Sequence, residues 1–237
     1  MNPLIVALDT SDELKVKQLV NQLAFYVGAF KVGLELYTAV GPSIIRYIQN
    51  TGGKVFLDGK FHDIPNTVDG AAASATRHNV WMFNVHCSGG LAMMQAAVHA
   101  AKDTASQLNI PNPIILGVTI LTSIDATILN QEIGIQKDIK SQVVHFAQLA
   151  RDAGLDGVVA SPKEIIPIRE AFGNDFIILT PGIRPSWSAA AQDQKRIMTP
   201  KDAISAGANY LVVGRPITQS PNPAEAAQRI LDEIIRV

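Results

Sequence analysis

A chain of 237 residues with 47% apolar side chains is long enough to bury a large hydrophobic core. Its formal net charge of −1 argues against nucleic acid or an anionic membrane as the main partner. Its apolar runs are short and interrupted, so no membrane-spanning helix is predicted, and the single cysteine, Cys87, excludes an internal disulfide. Because the chain also starts without a signal-like pattern, we predict a soluble cytoplasmic protein.

Eight short apolar or β-branched runs recur along the chain, with longer helical segments between them. The predicted strands cover residues 4–9, 29–34, 54–60, 81–86, 114–121, 157–161, 176–183 and 210–216. The clearest helical segments are residues 12–27, with Ser11 as the predicted cap, 96–105, 139–153 and 224–235. Residues 123–137 are predicted to form a loop with a short helix.

Near-continuous apolar strands that alternate with helices indicate a parallel sheet covered by helices. Eight such units in roughly 240 residues fit a closed (β/α)8 TIM barrel better than an open doubly wound sheet. In the first strand, Ile5, Ala7 and Asp9 share one face, as expected for the narrow interior of a barrel. Since no repeat or linker interrupts the chain, we predict an α/β fold with one domain over residues 1–237.

Polar side chains gather toward the C-terminal ends of the predicted strands, the face on which TIM barrels build active sites. Asp9 ends the first strand, Lys31 lies in the second, and Asp58 and Lys60 end the third. Asp58 and Lys60 are two residues apart in a strand, so both point the same way, and Asp63 follows. Opposed charges at the mouth of an apolar sheet are costly to desolvate, which favours a working site over a stabilising one.

These polar residues also have structural interpretations when each is taken alone. Asp9 could cap the first helix, and Lys31 could extend along an apolar stem to solvent. Asn84 and His86 end the fourth strand, where His86 could orient a neighbour. The placement of polar residues at the ends of several strands favours a single shared site.

A second group of candidates follows the last two strands, in TPGIRP (180–185) and VVGRP (212–216). Gly182 and Gly214 let the backbone approach a ligand, and Arg184 and Arg215 supply forked donors suited to phosphate. Loops after strands seven and eight are the usual phosphate site of this barrel. Simple Gly-Arg-Pro turns are the alternative, but their occurrence at both loops favours an anion.

The segment 185–196 is long enough to act as a lid over a bound phosphate, with Gln194 within reach of the ligand. An ordinary surface loop is the alternative. The histidines lack metal-ligand spacing, and no glycine-rich nucleotide fingerprint occurs, so no metal and no organic cofactor is predicted. Cys87 has no evident activating partner and is predicted to be a buried thiol.

A series of motifs in chain order resembles the orotidine 5′-phosphate decarboxylase family: VALD, FKVGLEL, DGKFHDIPNT, LTS, TPGIRP, DQKRIM and VVGRPIT. The most specific is Asp-x-Lys-x-x-Asp-Ile-x-x-Thr at 58–67. Gly59 departs from the larger apolar residue expected there, which predicts looser packing rather than altered chemistry. The resemblance covers nearly the whole chain and implies conversion of orotidine 5′-phosphate to UMP and CO2, in the last step of de novo pyrimidine synthesis, without metal or cofactor.

The resemblance also implies roles for individual residues. Lys60 is the implied proton donor, in an alternating charged array with Lys31, Asp58 and Asp63. In the family the last aspartate comes from the partner subunit, which implies a homodimer.

The implied substrate contacts extend beyond the charged array. In the implied dimer, Ile64 and Thr67 accompany Asp63 in completing the neighbouring site. Asp9 is implied to bind the ribose. The remaining implied substrate contacts are Lys31, Thr122, Ser123, Arg184, Gln194, Gly214 and Arg215.

Two other functions stay open. Mg²⁺-dependent sugar-phosphate enzymes, such as 3-keto-gulonate phosphate decarboxylase or hexulose phosphate synthase, resemble this chain in an Asp-x-Lys-x-x-Asp strand end, but DIPNT and DQKRIM argue against them. A non-catalytic nucleotide-binding protein is the second alternative, and the costly charged array argues against it. Composition gives an RNA-binding role little support.

Overall fold

Eight parallel strands close into a barrel in the computed structural model, which describes residues 2–188 and 198–235. The strands pair in chain order, and the last pairs with the first, so the predicted TIM barrel is confirmed. They are β1 (Leu4–Ala7), β2 (Ala29–Gly33), β3 (Val55–Phe61), β4 (Met82–His86), β5 (Ile114–Val118), β6 (Gly157–Val159), β7 (Ile177–Thr180) and β8 (Tyr210–Val213).

Helices fill the connections between strands and cover the outside of the barrel. They are α1 (Glu13–Leu23), α2 (Leu34–Val40), α3 (Ser43–Asn50), α4 (Pro65–Arg77), α5 (Gly90–Leu108), α6 (Ile139–Asp152), α7 (Ile165–Phe172), α8 (Pro200–Ser205), α9 (Arg215–Thr218) and α10 (Pro223–Ile235). The predicted short helix after β5 is a π-helical turn over Ile128–Glu132. Within the described ranges, no helix is long and apolar enough to cross a membrane.

Several predicted boundaries differ from those observed, for local reasons. The cap of α1 is Asp12 rather than Ser11, because the Asp12 carboxylate accepts a hydrogen bond from the Lys15 backbone at 3.1 Å. Strand β7 ends at Thr180 rather than at residue 183, since Pro181 has no N–H for the ladder and Gly182 has φ +76°.

Two separate apolar clusters form the core. One lies between the strands and the helices, and the other is formed by alternate residues of the strands, which face one another inside the barrel. On the first four strands, the interior apolar residues nearest the C-terminal ends are Ala7, Ala29, Phe56 and Met82. The residues two positions after these in the chain are polar: Asp9, Lys31, Asp58 and Asn84. The polar residues therefore form a layer directly above the apolar side chains that fill the barrel interior.

Arg169 of α7 ties together several segments at the opposite, N-terminal end of the barrel. Its guanidinium donates to the backbone carbonyls of Gly173, Phe176 and Gly207, and to the side-chain oxygen of Asn209 just before β8. Its Nε–O distance to Gly207 is 2.9 Å, and its Nη1–O distance to Gly173 is 2.8 Å. One side chain thus satisfies backbone groups that no regular ladder or helix reaches.

We expect Arg169→Ala to lower the free energy of unfolding by about 2 to 4 kcal/mol, because these acceptors lose a charged donor. Urea denaturation of the purified variant measures this loss. Arg151→Ala is the matched control: that exposed arginine lies over the Phe172 ring, 5.9 Å from its centroid. Equal stability of the two variants would contradict the assigned role of Arg169.

Candidate active site

A cavity of about 530 Å³ opens at the C-terminal ends of the strands. It is bordered by the end of β1, by β2 and β3, and by the loops that follow β5, β7 and β8. The predicted site residues that line it are Asp9, Lys31, Asp58, Lys60, Thr122, Ser123, Arg184, Gly214 and Arg215. Residues that are far apart in the chain thus meet in one concave site of a size suited to a small ligand.

The charged residues of the first three strands form a continuous chain of ion pairs. Lys31 Nζ lies 2.8 Å from Asp9 Oδ1 and 3.2 Å from Asp58 Oδ2. Lys60 Nζ lies 2.7 Å from the other oxygen of Asp58. Lys31 and Asp58 are buried, whereas Asp9 is more than half exposed at the cavity edge. The helix-cap interpretation of Asp9 and the solvent-extended interpretation of Lys31 are therefore wrong.

The buried members of this chain remain charged at neutral pH. Burial by itself lowers the pKa of Lys31, but the carboxylates of Asp58 and Asp9 outweigh it and raise that pKa above its ordinary value. Burial by itself raises the pKa of Asp58, but the ammonium groups of Lys31 and Lys60 outweigh it and hold that pKa below its usual range. The site therefore presents fixed opposite charges in a largely desolvated setting.

A glycine makes room for the Lys31 ammonium. Gly33 ends β2, two residues after Lys31 on the same side of the strand. A Cβ atom at Gly33 would lie 3.0 Å from Lys31 Nζ and 3.4 Å from Asp9 Oδ1. A side chain there would crowd the ion pair, so a glycine two residues after Lys31 is needed to leave space for it.

The C-terminal end of β3 is irregular, which the prediction from strand alternation did not include. Lys60 has φ +48°, and the register with β4 shifts between Leu57 and Phe61. Asp58 and Lys60 still point into the same cavity, but through this bulged backbone rather than a regular strand.

Asn84 of β4 is the residue that sequence reasoning placed at a strand end without assigning it to the site. Its side-chain amide contacts both β3 residues: Nδ2 donates to Asp58 Oδ1 at 2.7 Å, and Oδ1 accepts from the Lys60 backbone N–H at 2.7 Å. Its alternation with the interior residue Met82 was the signal that could have assigned it.

The two arginine loops border the other side of the cavity. Gly182 has φ +76°, a left-handed conformation that favours glycine, and it lines the cavity beside Arg184. Arg184 is buried, and its backbone N–H donates to the Met198 carbonyl at 3.0 Å. Arg215, the first residue of α9, is exposed at the cavity mouth. Two guanidinium groups therefore line one part of the cavity.

Three predicted site residues lie outside this cavity. Asp63, Ile64 and Thr67 follow β3 on the exposed rim, and Ile64 is 66% exposed. The Asp63 carboxylate accepts a hydrogen bond from the Ile64 backbone at 2.6 Å. Gln194 and most of the predicted lid lie outside the described residues.

The prediction of looser packing at Gly59 is wrong. The aromatic ring of Phe61 covers the position, and a Cβ atom at Gly59 would lie 2.7 Å from Phe61 Cε1. The Phe61 ring also packs against Phe83, with 5.8 Å between the ring centroids. The space beside Gly59 is therefore filled.

His86 lies at the end of β4, with its ring centroid 5.2 Å from that of His62. Burial lowers its pKa to about 4, and the nearby His62 and Lys60 add to this effect, so the imidazole is neutral at neutral pH. Cys87 is buried as predicted, and burial raises the pKa of its thiol to about 12. Within the described residues, no group of three or more His, Cys, Asp or Glu side chains could hold a metal ion.

Comparisons with known proteins agree along the whole barrel. The model of the orotidine 5′-phosphate decarboxylase / HUMPS family matches residues 2–230. Orotidine 5′-phosphate decarboxylase of Moorella thermoacetica is 54% identical over 231 residues, covering 98% of this chain and 91% of that protein. The enzyme of the same name from Syntrophomonas wolfei is 50% identical, covering 98% and 97% of the two chains.

The fold comparison gives the same result. The crystal structure of orotidine 5′-phosphate decarboxylase from Lactobacillus acidophilus superimposes with a TM-score of 0.87 at 35% identity, covering 99% of both chains. Sequence and fold agree over nearly every residue. This chain is therefore a member of the orotidine 5′-phosphate decarboxylase / HUMPS family.

Proposed function

We propose that this protein decarboxylates orotidine 5′-phosphate to UMP, the last step of de novo pyrimidine synthesis. The observation that carries the proposal is the Lys31–Asp58–Lys60 ion-pair chain in a cavity that also contains two arginine loops. Family membership and relatives named as this decarboxylase confirm the prediction of a carboxy-lyase. As an enzyme of nucleotide synthesis with a single buried thiol, it is proposed to act in the reducing cytoplasm.

Lys60 is proposed to stabilise the transition state and then to supply the proton. When the C6–carboxylate bond of the pyrimidine breaks, CO2 leaves and the electron pair stays on C6. The Lys60 ammonium, held by Asp58 at 2.7 Å, offers positive charge where this carbanion develops. A proton then passes from Lys60 Nζ to C6, which completes UMP. Asp58 would oppose the substrate carboxylate until CO2 has left.

The rest of the cavity is proposed to bind the nucleotide away from the reacting carbon. Arg215, Arg184 and the Gly214 backbone would hold the phosphate, because forked guanidinium donors match its oxygens. Asp9 at the cavity edge would accept hydrogen bonds from the ribose hydroxyls. Gln194 would join these phosphate contacts and bridge toward the pyrimidine, and Thr122 with Ser123 would meet the substrate from the end of the fifth strand. Phosphate binding energy could then drive lid closure and assembly of the site.

The main alternative is a Mg²⁺-dependent sugar-phosphate reaction, because the family model covers both groups of enzymes. The relatives' names favour the nucleotide reaction. Incubation with orotidine 5′-phosphate, followed by NMR identification of the product, tests the proposal: UMP with a hydrogen at C6 is expected. Conversion of a sugar phosphate only, in the presence of Mg²⁺, would contradict it.

A homodimer with shared sites is part of this proposal. Asp63, Ile64 and Thr67 are exposed and outside their own cavity, which leaves them available to a neighbouring subunit. Large exposed apolar residues follow each of the adjacent strands β2, β3 and β4: they are Leu34, Ile64 and Leu91. A second copy of this rim would bury these side chains in an isologous interface.

We expect the variants Lys60→Ala and Asp63→Ala to complement each other when they are mixed. Each alone leaves every site defective, but a mixed dimer carries both substitutions in one site and an intact second site. Reassociation at random should restore about a quarter of the wild-type activity. The specific activity of the mixture, measured after unfolding and refolding together, tests this arrangement. No recovery in a mixture shown to contain mixed dimers would contradict the shared site.

A further inference from the structure

Asn84 is completely buried inside the barrel, at the same level as the charged residues of the neighbouring strands. It follows Met82, whose side chain belongs to the interior apolar cluster. A buried primary amide is costly unless its hydrogen bonds are made. The oxygen and the nitrogen of the Asn84 amide each make a hydrogen bond, and the two partners, Lys60 and Asp58, both lie on β3.

The backbone of β3 explains why Lys60 needs such a partner. Between the paired positions Leu57–Phe83 and Phe61–Val85, β3 advances four residues while β4 advances two. The extra residues form a bulge in which Lys60 adopts φ +48°, a sparsely populated conformation for a residue with a side chain. In place of a ladder partner, its N–H donates to Asn84 Oδ1 at 2.7 Å.

The Asn84 amide nitrogen donates a hydrogen bond to Asp58, the carboxylate that also binds the Lys60 ammonium. Asn84 Nδ2 donates at 2.7 Å to Asp58 Oδ1, the oxygen that also accepts from Lys60 Nζ at 2.7 Å. Because the Lys60 backbone must donate, the orientation of the amide is fixed, and its N–H group is left to face Asp58. The Asn84 side chain therefore connects the backbone of Lys60 to the Asp58 carboxylate, which in turn binds the Lys60 ammonium group.

We propose that Asn84 is a positioning residue for decarboxylation: it holds the bulge at Lys60 and the carboxylate of Asp58 so that the Lys60 ammonium reaches C6 of the pyrimidine. The inference rests on the proposed function. Asn84 does not line the cavity, so it acts through Lys60 and Asp58 rather than on the substrate. A purely structural role would be to fill space and satisfy a backbone group.

Asn84→Leu separates these two roles, since it keeps the volume and removes both hydrogen bonds. We expect kcat to fall by about 10- to 100-fold, because small misplacement of a reacting group is costly, with little change in Kd for UMP. If Asn84 only supports the structure, UMP affinity and thermal stability should fall in proportion to kcat. That result would overturn the proposal, and so would an unchanged kcat. Wild-type turnover of orotidine 5′-phosphate, measured alongside, tests the proposed function separately.

Asn209→Ala is the matched control. Asn209 Oδ1 also accepts a backbone N–H from the adjacent strand, that of Ile178 at 2.8 Å, but at the opposite end of the barrel. Its loss should reduce stability and leave kcat at the wild-type value. A similar kcat loss in N209A and N84L would mean that kcat reports general loosening, which would contradict the positioning role.

Asn84→Asp provides a second test that does not depend on N84L folding well. When protonated, the introduced carboxyl group can accept from the Lys60 backbone and donate to Asp58 as the amide does; when ionised, it repels Asp58. Burial and the adjacent Asp58 carboxylate both raise the pKa of the introduced group, so the ratio of wild-type to N84D kcat should shrink as the pH falls.

The charged and titratable groups around the N84D carboxyl are present in both proteins, so the ratio of the two kcat values compares the substitution alone. They are Asp58 and Lys60 on β3, Lys31 on β2, Asp9 after β1, His86 at the end of β4, and His62 beside it. A ratio that grows as the pH falls would overturn the proposal.

Discussion

Lys60→Ala is expected to abolish decarboxylation while the barrel stays folded. The substitution removes both the charge that faces the developing carbanion and the proton that completes UMP, so kcat should fall by at least about 10⁴-fold. Folding should survive because Asp58 keeps Lys31 at 3.2 Å and Asn84 at 2.7 Å as partners. Turnover measured beside circular dichroism of the same sample tests both parts.

Lys54→Ala is the matched control for this experiment. Lys54 precedes the same strand at the opposite end of the barrel, with its ammonium 5.4 Å from the centroid of the Trp81 ring. Its removal takes away one positive charge without touching the cavity, so kcat should not change. Near-normal turnover in K60A would rule out Lys60 as the proton donor.

Arg215→Ala is expected to weaken UMP binding far more than uridine binding. Loss of a forked, charged hydrogen bond to phosphate should raise the Kd for UMP by about 10- to 100-fold. Uridine has no phosphate, so its Kd should change little. Isothermal titration of both ligands to the wild-type and variant proteins makes the comparison.

Arg46→Ala controls for the loss of one positive charge in the Arg215 experiment. Arg46 is exposed on α3 and does not line the cavity, so its removal should leave both Kd values unchanged. Equal losses of UMP and uridine affinity in R215A would place the phosphate elsewhere.

The barrel and most of the cavity lining could be predicted because both depend on local patterns. The interior positions follow from strand alternation, and functional side chains follow strand ends, so Asp9, Lys31 and Asp58 could be located from the sequence. The positions at which strands end were predicted less accurately. Pro181 and Gly182, for example, end β7 within an otherwise β-favouring run.

The contacts of Asn84 and the bulge at Lys60 could not be predicted in the same way. A left-handed backbone at a lysine has no local sequence signal, and it depends on how β3 pairs with β4. The bounds of helix α4 could not be read from the sequence for a related reason. Its Gly and β-branched residues weaken the helical pattern, and its buried small residues, such as Ala72 and Ala75, belong to the core outside the barrel.

The ultraviolet absorbance of orotidine 5′-phosphate, followed with the purified protein in EDTA, tests the central claim most directly. The charged array requires no metal ion in the proposed mechanism, so absorbance should fall as UMP forms and the rate should not depend on EDTA. Turnover that stops in EDTA and returns with Mg²⁺, or no change in absorbance with folded protein, would contradict it.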